Sequence, residues 1–308
     1  MSSPKSRSGG AAGPSDSTSV WWRLVKSRWT ALVLLIAAIG AGSQSLWKHV
    51  SAELAIDPRY RLDPDQITLT ARPAWIRADI LREVLRDSGL DRASTLDPQL
   101  AQRIAKGFEM HPWIARTIEV RKLSPAGLAV QVEYRRPVCM VEVPGGLFAV
   151  DEHAVLLPSH DFLPGDAQQY PRLGGVQVVT EGPVGTRWED ARVQGGAQVA
   201  AALLEHWNEF HLQRIVPVGE STEHAPSGEP EYEIYTRGKA RIRWGHAPGV
   251  TITYEPAAAE KVARLKKYVA DHGPFDTEAD SVEIDLRTGG PLRVTPRVAA
   301  ADDDSAHR

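Results

Sequence analysis

The first part of the chain carries one long uncharged stretch. No charged residue lies between Trp29 and Trp47, and the strongest apolar run is Ala31 to Ile39. A helix rises about 1.5 Å per residue, so this stretch reaches just under the roughly 30 Å hydrocarbon layer of a bilayer. Basic residues dominate the segment before it, and such flanks stay cytoplasmic, while tryptophan favours the bilayer interface. The pattern predicts a transmembrane helix over residues 29–47, with the bulk of the chain outside the cytoplasm.

A cleaved signal peptide is the alternative interpretation of this stretch. The apolar run is short enough for a signal peptide, and Ala41-Gly42-Ser43 is small enough for a cleavage site. The long segment before the run and the tryptophan at each end favour an uncleaved anchor instead.

Residues 66–136 combine strand and helix patterns in the order β-α-α-β-β. Strict alternation of apolar and polar residues predicts the strands, and apolar residues four apart predict the helices. The predicted elements are a strand at Gln66–Ala71, helices at Ala78–Asp87 and from Leu100 to Phe108, a strand starting at Ile118, and a strand at Leu128–Tyr134.

From Pro137 onward the pattern changes to short strands between proline and glycine turns. The predicted strands are Cys139–Val143, Leu147–Val150, Ala154–Leu157, Glu231–Thr236, Ala240–Trp244 and Val250–Tyr254, and the predicted helices are Gln198–Phe210 and Pro256–Asp271. The chain then shows Ser281–Arg287, a Thr-Gly-Gly turn and Leu292–Thr295, which together predict a hairpin. Its final strand is expected at or near a sheet edge.

These patterns predict an α+β protein with several segments. Residues 1–28 form a disordered cytoplasmic tail rich in serine, glycine, proline and alanine, residues 48–65 a polar tether, and residues 298–308 a disordered acidic tail. The two folded units are 66–136 and 137–297. The net charge of −3 gives no electrostatic footprint for nucleic acid. The single cysteine, Cys139, excludes an internal disulfide, and its apolar neighbours predict that it is buried.

The sequence offers no constellation typical of an enzyme. No metal-binding, nucleophile-elbow, phosphate-loop or dinucleotide motif occurs. His206 and His211 are five residues apart and do not share one helix face. His153 follows Asp151-Glu152 and is best explained by a turn. We therefore expect no catalytic residue, no metal and no cofactor.

Several phrases, taken in order, resemble the FtsQ/DivIB family of bacterial cell-division proteins. They are His111-Pro-Trp-Ile-Ala-Arg116, Ile118-Glu-Val-Arg-Lys122, Leu128-Ala-Val-Gln-Val-Glu-Tyr-Arg-Arg-Pro137, Val150-Asp151 with Val155-Leu-Leu-Pro158, Lys261 to Val269, and Val282-Glu-Ile-Asp-Leu-Arg287. The resemblance covers roughly residues 20–297. It implies a single-span anchor, then a polypeptide-transport-associated (POTRA) domain over 66–136, then the family's β domain over 137–297, expected to be mainly antiparallel with flanking helices. Trp244-Gly245, the long segment from Gly219 to Pro230, and Pro291 depart from the family pattern.

The resemblance implies a non-enzymatic scaffold of the division complex at the inner membrane, concentrated at the division site. Such a scaffold binds FtsB-like and FtsL-like single-span partners and other divisome proteins, and helps control septal peptidoglycan synthesis. The partner adds a strand to the exposed C-terminal edge, a recognised mode of peptide binding. The implied partner-binding residues are Asp285, Arg287, Leu292, Arg293, Val294 and Thr295.

Other interpretations stay open at this stage. Arg293 could only protect the edge against aggregation, and Asp285 could be a plain turn charge. The whole chain could be a POTRA-containing protein of outer-membrane assembly or secretion, or a membrane-tethered cell-wall enzyme.

Overall fold

A computed structural model describes residues 31–44, 58–91, 93–124, 126–163, 165–177, 179–180, 182–219, 229–275 and 282–296. The predicted tails, 1–28 and 298–308, lie outside the described residues, as does the first part of the predicted tether. Residues 31–44, inside the predicted span 29–47, form a helix, α1. Among the helices that the structure describes, none is both long and apolar enough to cross a membrane.

Residues 58–136 form a three-stranded unit. Its sheet has the order β1-β3-β2, with β1 (Ile67–Leu69) parallel and β2 (Ile114–Leu123) antiparallel to β3 (Gly127–Tyr134). Helices α2 (Ile80–Asp87) and α3 (Leu100–Glu109) lie between β1 and β2 in the chain. The predicted β-α-α-β-β order is therefore confirmed.

Periodic apolar residues of this unit form its core. Leu100, Ile104 and Phe108, spaced four apart, are fully buried, because one face of α3 packs against the sheet. The side chain of Asp79 accepts a hydrogen bond from the Arg82 N–H and so caps the start of α2. The unit also begins earlier than predicted. Leu62, expected in the tether, is buried, and its N–H donates to the Ala93 carbonyl at 2.8 Å.

Residues 137–296 form an eight-stranded unit with the strand order β11-β10-β9-β8-β7-β6-β4-β5. The strands are β4 (Cys139–Val143), β5 (Gly146–Val150), β6 (Arg172–Leu173), β7 (Leu212–Val218), β8 (Glu231–Thr236), β9 (Arg241–His246), β10 (Val282–Asp285) and β11 (Arg293–Pro296). Helices α4 (Ala191–Leu203) and α5 (Ala258–His272) touch each other and share the main hydrophobic core with the sheet. Cys139 is fully buried in that core, as predicted, and burial raises the pKa of its thiol.

The first helix of this unit begins seven residues before the predicted Gln198 and ends at Leu203, where a 3-10 turn follows. Gly195 and Gly196 lie inside this helix, although glycine weakens a helix by about 1 kcal/mol per residue. The neighbouring side chains explain why both positions are glycine. A Cβ atom at Gly195 would lie 2.3 Å from the Tyr232 Oη, and one at Gly196 would lie 2.6 Å from a methyl carbon of Leu173. The two glycines thus allow α4 to approach the sheet closely.

Two predicted strands are absent. Ala154–Leu157 makes only isolated bridges, at Val155 and Leu156, because Ala154 adopts a left-handed backbone with φ 58°. Val250–Tyr254 is a loop between β9 and α5. A turn at Thr253 and Tyr254 bends the chain within this run, and Tyr254 is 75% exposed.

The two units are joined by a common core and by a buried carboxylate. Met140, Ala149 and Leu157 of the eight-stranded unit belong to the core of the three-stranded unit. Asp161, which is 3% exposed, accepts from the Trp113 Nε1–H at 2.6 Å. Its other oxygen accepts from two consecutive backbone N–H groups, those of Arg77 at 3.1 Å and Ala78 at 2.9 Å. Trp113 is fully buried.

A second carboxylate supports the same junction. Asp151 is 3% exposed and accepts from the Arg135 Nη1 at 2.7 Å. It also accepts from the backbone N–H groups of His153 and Val155, at 2.9 and 2.8 Å, so it closes the turn in which His153 lies. The predicted turn at His153 is confirmed.

We expect Asp161→Asn to lower the free energy of unfolding by roughly 2–3 kcal/mol. The amide keeps one acceptor but turns a donor toward either Trp113 or the two backbone N–H groups, so a buried donor loses its partner. Urea unfolding of the full-length chain measures the loss. Asp166→Asn is the control, because Asp166 forms a half-exposed pair with Arg77, and such pairs contribute about 1 kcal/mol or less. An equal loss of unfolding free energy in the two variants would contradict the proposed role of Asp161 in joining the two units.

Candidate interaction site at the sheet edge

β11 is the last strand of the eight-stranded sheet. It pairs antiparallel with β10, and in the part of the chain that the structure describes no strand lies on its other side. All four of its residues are exposed. The predicted hairpin and the predicted edge position are confirmed, while the strand runs over Arg293–Pro296 instead of Leu292–Thr295.

The register of the β10–β11 pair assigns each side chain to a face. Val294 lies opposite Ile284, which is fully buried, so both side chains are on the face that carries α5. Arg293 lies opposite Asp285 and Thr295 opposite Glu283, on the other face. Val294 is nevertheless 37% exposed, because no further strand among the described residues covers it.

Leu292, just before β11, is half-buried and packs against the main core. Three of the six predicted site residues therefore form the exposed edge: Arg293, Val294 and Thr295. Leu292 packs against the core just before this strand.

Asp285 and Arg287 are bound to each other. The Arg287 guanidinium donates from Nη2 to the Asp285 Oδ2 at 2.9 Å and from Nε to Oδ1 at 3.1 Å. The Arg287 backbone N–H also donates to the Asp285 Oδ1. The Arg287 Nη1 donates to the Glu231 carboxylate of β8 at 3.2 Å. The hydrogen bonds from Arg287 outweigh partial burial and hold the pKa of Asp285 below its usual range, and the same bonds raise the pKa of Arg287. These two residues therefore brace the end of β10.

Arg264 holds the turn between β10 and β11. From α5 its guanidinium donates to the carbonyls of Thr288 and Gly290, both at 2.8 Å. No motif marks Arg264 in the sequence. Arg264 directly precedes Leu265, a buried residue of α5. This position was the one indication in the sequence that Arg264 contacts the rest of the fold.

A buried cation fixes the start of α5. Lys261 is 2% exposed, donates to the Trp244 carbonyl at 2.7 Å and pairs with Glu255. Its Nζ also lies 4.8 Å from the centroid of the Trp244 ring. Burial lowers the pKa of Lys261 against the opposing effect of Glu255.

Glu255 completes this cluster and explains Gly245. Burial acts to raise the pKa of Glu255, but hydrogen bonds from Lys261 and His246 prevail and lower it. Gly245 has φ 89°, and a Cβ atom there would lie 2.2 Å from the Glu255 Oε1. The Trp244-Gly245 pair, a departure from the family pattern, thus serves the Lys261 site.

The arrangement at this edge suits backbone pairing. Edge strands present N–H and C=O groups that template an added strand. Within the described ranges, no group of three or more histidine, cysteine, aspartate or glutamate residues could hold a metal ion.

We expect Arg264→Ala to loosen the edge without unfolding the sheet. Two hydrogen bonds from a charged donor would be lost, so amide exchange in residues 282–296 should accelerate by about tenfold, equivalent to about 1.4 kcal/mol. Hydrogen exchange with mass spectrometry measures this. Lys266→Ala, an exposed position on the same helix, is the control. Unchanged exchange in Arg264→Ala would show that Arg264 does not hold the turn.

We expect the contribution of Asp285 to stability to depend on pH. Its pKa is lower in the folded chain than the unfolded value of about 3.9, so the stabilisation is complete above that value and is lost as pH falls through the folded pKa. Asp285→Asn should lower the free energy of unfolding by about 1 kcal/mol at pH 7, and the difference from the parent should shrink as pH falls through the folded pKa of Asp285. Urea unfolding at several pH values tests this, with Asp87→Asn, an exposed pair, as control. A difference independent of pH would contradict it.

Comparison with known proteins identifies a relative. No family model matches the chain. The cell division protein FtsQ of Anaeromyxobacter sp. (strain K) is 29% identical over 234 residues, which cover 70% of this chain and 70% of that protein. The α+β architecture, with a three-stranded unit followed by a mixed sheet, is consistent with a POTRA domain and a β domain. This similarity supports the membership of the chain in the FtsQ/DivIB family of bacterial cell-division proteins.

Proposed function

We propose that this protein is a non-enzymatic, membrane-anchored scaffold of the cell-division complex. In this proposal residues 29–47 form the anchor at the inner membrane, with the N-terminus cytoplasmic and the folded units outside the cytoplasm, concentrated at the division site. The folded units are the POTRA domain and the β domain, and they link division to septal peptidoglycan synthesis. The relative named cell division protein FtsQ supports the role in division.

The observation that carries the proposed binding mode is the outer side of β11, along which the described residues place no strand. An FtsB-like partner, in complex with an FtsL-like protein, would add a strand there and extend the eight-stranded sheet. Such pairing uses backbone groups for affinity and neighbouring side chains for specificity. The exposed Val294 offers an apolar contact on one face, and Arg293 offers a positive charge on the other.

The contacts around β11 indicate that this strand is ordered before a partner binds. Arg264 holds the turn before it, Leu292 is anchored in the core, and the Asp285–Arg287 pair braces the neighbouring strand. Ordering an edge during binding would cost conformational entropy, about 1–2 kcal/mol for each residue. An edge fixed beforehand avoids that cost.

The shortness of β11 limits what backbone pairing supplies. Each backbone hydrogen bond contributes about 0.5–1.5 kcal/mol net, and only alternate residues of a strand face outward. Pro296, the last described residue of β11, has no N–H to donate. The partner must therefore make further contacts outside β11.

A proline scan over Val294 and Thr295 tests strand addition. Adjacent residues of a strand direct their N–H groups to opposite sides, so one of the two faces the partner and the other faces β10. Proline at the outward position should abolish capture of the extracytoplasmic segment of the FtsB-like partner and leave the Tm within about 2 °C. Proline at the inward position should lower the Tm. Capture by the full-length chain in detergent is measured by pull-down and by surface plasmon resonance.

Val294→Thr is the matched control, because threonine keeps both the backbone donor and the strand preference. It should capture the partner about as well as the parent. Normal capture by both folded proline variants would overturn the edge proposal.

A further inference from the structure

A cleft lies on the face of the eight-stranded sheet opposite α4 and α5. Alternation along the strands defines this face, because Val141, Leu173 and Ile215 are buried in the main core and their neighbours in sequence point the other way. The cleft has a volume of about 730 Å³, within the roughly 300–1,000 Å³ typical of ligand sites. We call it the arginine cleft; its principal lining residues are Glu142, Tyr170, Arg172, Arg214, Tyr235 and Arg237.

The charge of the arginine cleft is not balanced. Arg214 pairs with Glu142 at 2.8 Å. Among the described residues, Arg172 and Arg237 have no ion-pair partner, although the whole chain carries a net charge of −3. On the adjoining strands of the same face the charges are compensated, since Arg241 pairs with Glu233 and Arg243 with Glu283. Positive charge is therefore concentrated in the cleft.

The cleft is built into the fold. A Cβ atom at Gly174 would lie 2.1 Å from the Arg214 Nε, so glycine at this position leaves room for the guanidinium. That Nε is buried and makes no hydrogen bond to the described residues. The wall beside Arg172 comes from the segment that ends at Tyr170, whose 3-10 turn is Asp166–Gln169. Asp161, shortly before that turn, ties the same stretch of chain to the three-stranded unit.

The lining favours a protein ligand. Arginine and tyrosine are enriched at the centres of protein–protein interfaces and lysine is depleted there, and this cleft contains three arginines, two tyrosines and no lysine. A guanidinium binds a carboxylate through two parallel hydrogen bonds. The complementary partner surface is therefore rich in aspartate or glutamate.

We propose that the arginine cleft binds an acidic peptide segment of a partner protein, with its carboxylates on Arg172 and Arg237. The inference deepens the proposed scaffold function, on which the choice of a protein partner rests. β6 is five strands from β11, or about 24 Å at a spacing of about 4.8 Å. The cleft is thus separate from the edge, and a partner that engages both would gain effective concentration at the second site.

A labelled hexaglutamate peptide is the probe. We measure its fluorescence anisotropy with the full-length chain in detergent at about 50 mM salt, where surface charges are only partly screened. The parent should bind the peptide, and the double variant Arg172→Glu, Arg237→Glu should bind it at least tenfold more weakly. The control, Lys266→Glu with Lys267→Glu on α5, makes the same change in net charge and should alter binding less than twofold.

Three results would overturn the proposal: no binding to the parent, equal binding to the cleft variant, or an equal loss in the control. A hexameric oligogalacturonate of the same charge tests for a glycan ligand. Competition by it as strong as that of unlabelled hexaglutamate would overturn the assignment to a peptide. Arg172→Lys with Arg237→Lys keeps the charge and should weaken binding by a few-fold, because lysine cannot form the paired hydrogen bonds.

The two proposals fail separately. The outward proline variant of β11 should bind hexaglutamate like the parent while it loses the FtsB-like partner. If the outward proline variant captures the partner normally, the edge proposal fails. The cleft proposal is still tested separately, by the binding of hexaglutamate to the Arg172 and Arg237 variants.

Discussion

The buried carboxylate of Asp161 is the constraint on which the arrangement of this molecule depends. It lies in the eight-stranded unit and accepts three hydrogen bonds from the three-stranded unit, from the Trp113 indole and from two backbone N–H groups. Removing a carboxylate from water is costly unless its oxygens are satisfied, so the carboxylate and its three donors require one another. Together with the shared apolar core, this clamp joins the two units at one fixed position.

That position leaves the large sheet with three different surfaces. One face is closed by α4 and α5 over the main core. The other face is covered near β4 by the three-stranded unit and is open and charged farther along, where the arginine cleft lies. At the far end lies β11, beside which no further strand occurs in the part of the chain that the structure describes. A scaffold needs surfaces that bind without rearrangement, and both candidate surfaces are built on regular strands that buried contacts hold in place.

Arginine has two distinct roles at these surfaces. Arg264 and Arg287 use their hydrogen bonds within the chain, to the hairpin turn and to Asp285, and so shape the edge. Arg172 and Arg237 make no ion pair within the described residues and stay available in the cleft. The resemblance to the FtsQ/DivIB family implied that Asp285 and Arg287 bind a partner. The structure shows that they are bonded to each other, and their role in partner binding stays a prediction.

The sequence by itself determined most of the elements, because apolar spacing decides which face of a helix or strand is buried. The helix at Leu100–Glu109, the final hairpin and the buried Cys139 were all readable in this way. The apolar spacing misplaced the start of α4. This helix contains Gly195 and Gly196, which are explained only by the neighbouring Tyr232 and Leu173. Only the tertiary structure decided the clamp at Asp161, the hydrogen bonds of Arg264 to the hairpin turn and the arginine cleft. Each joins residues distant in sequence, and no pattern along the chain indicates which of them meet.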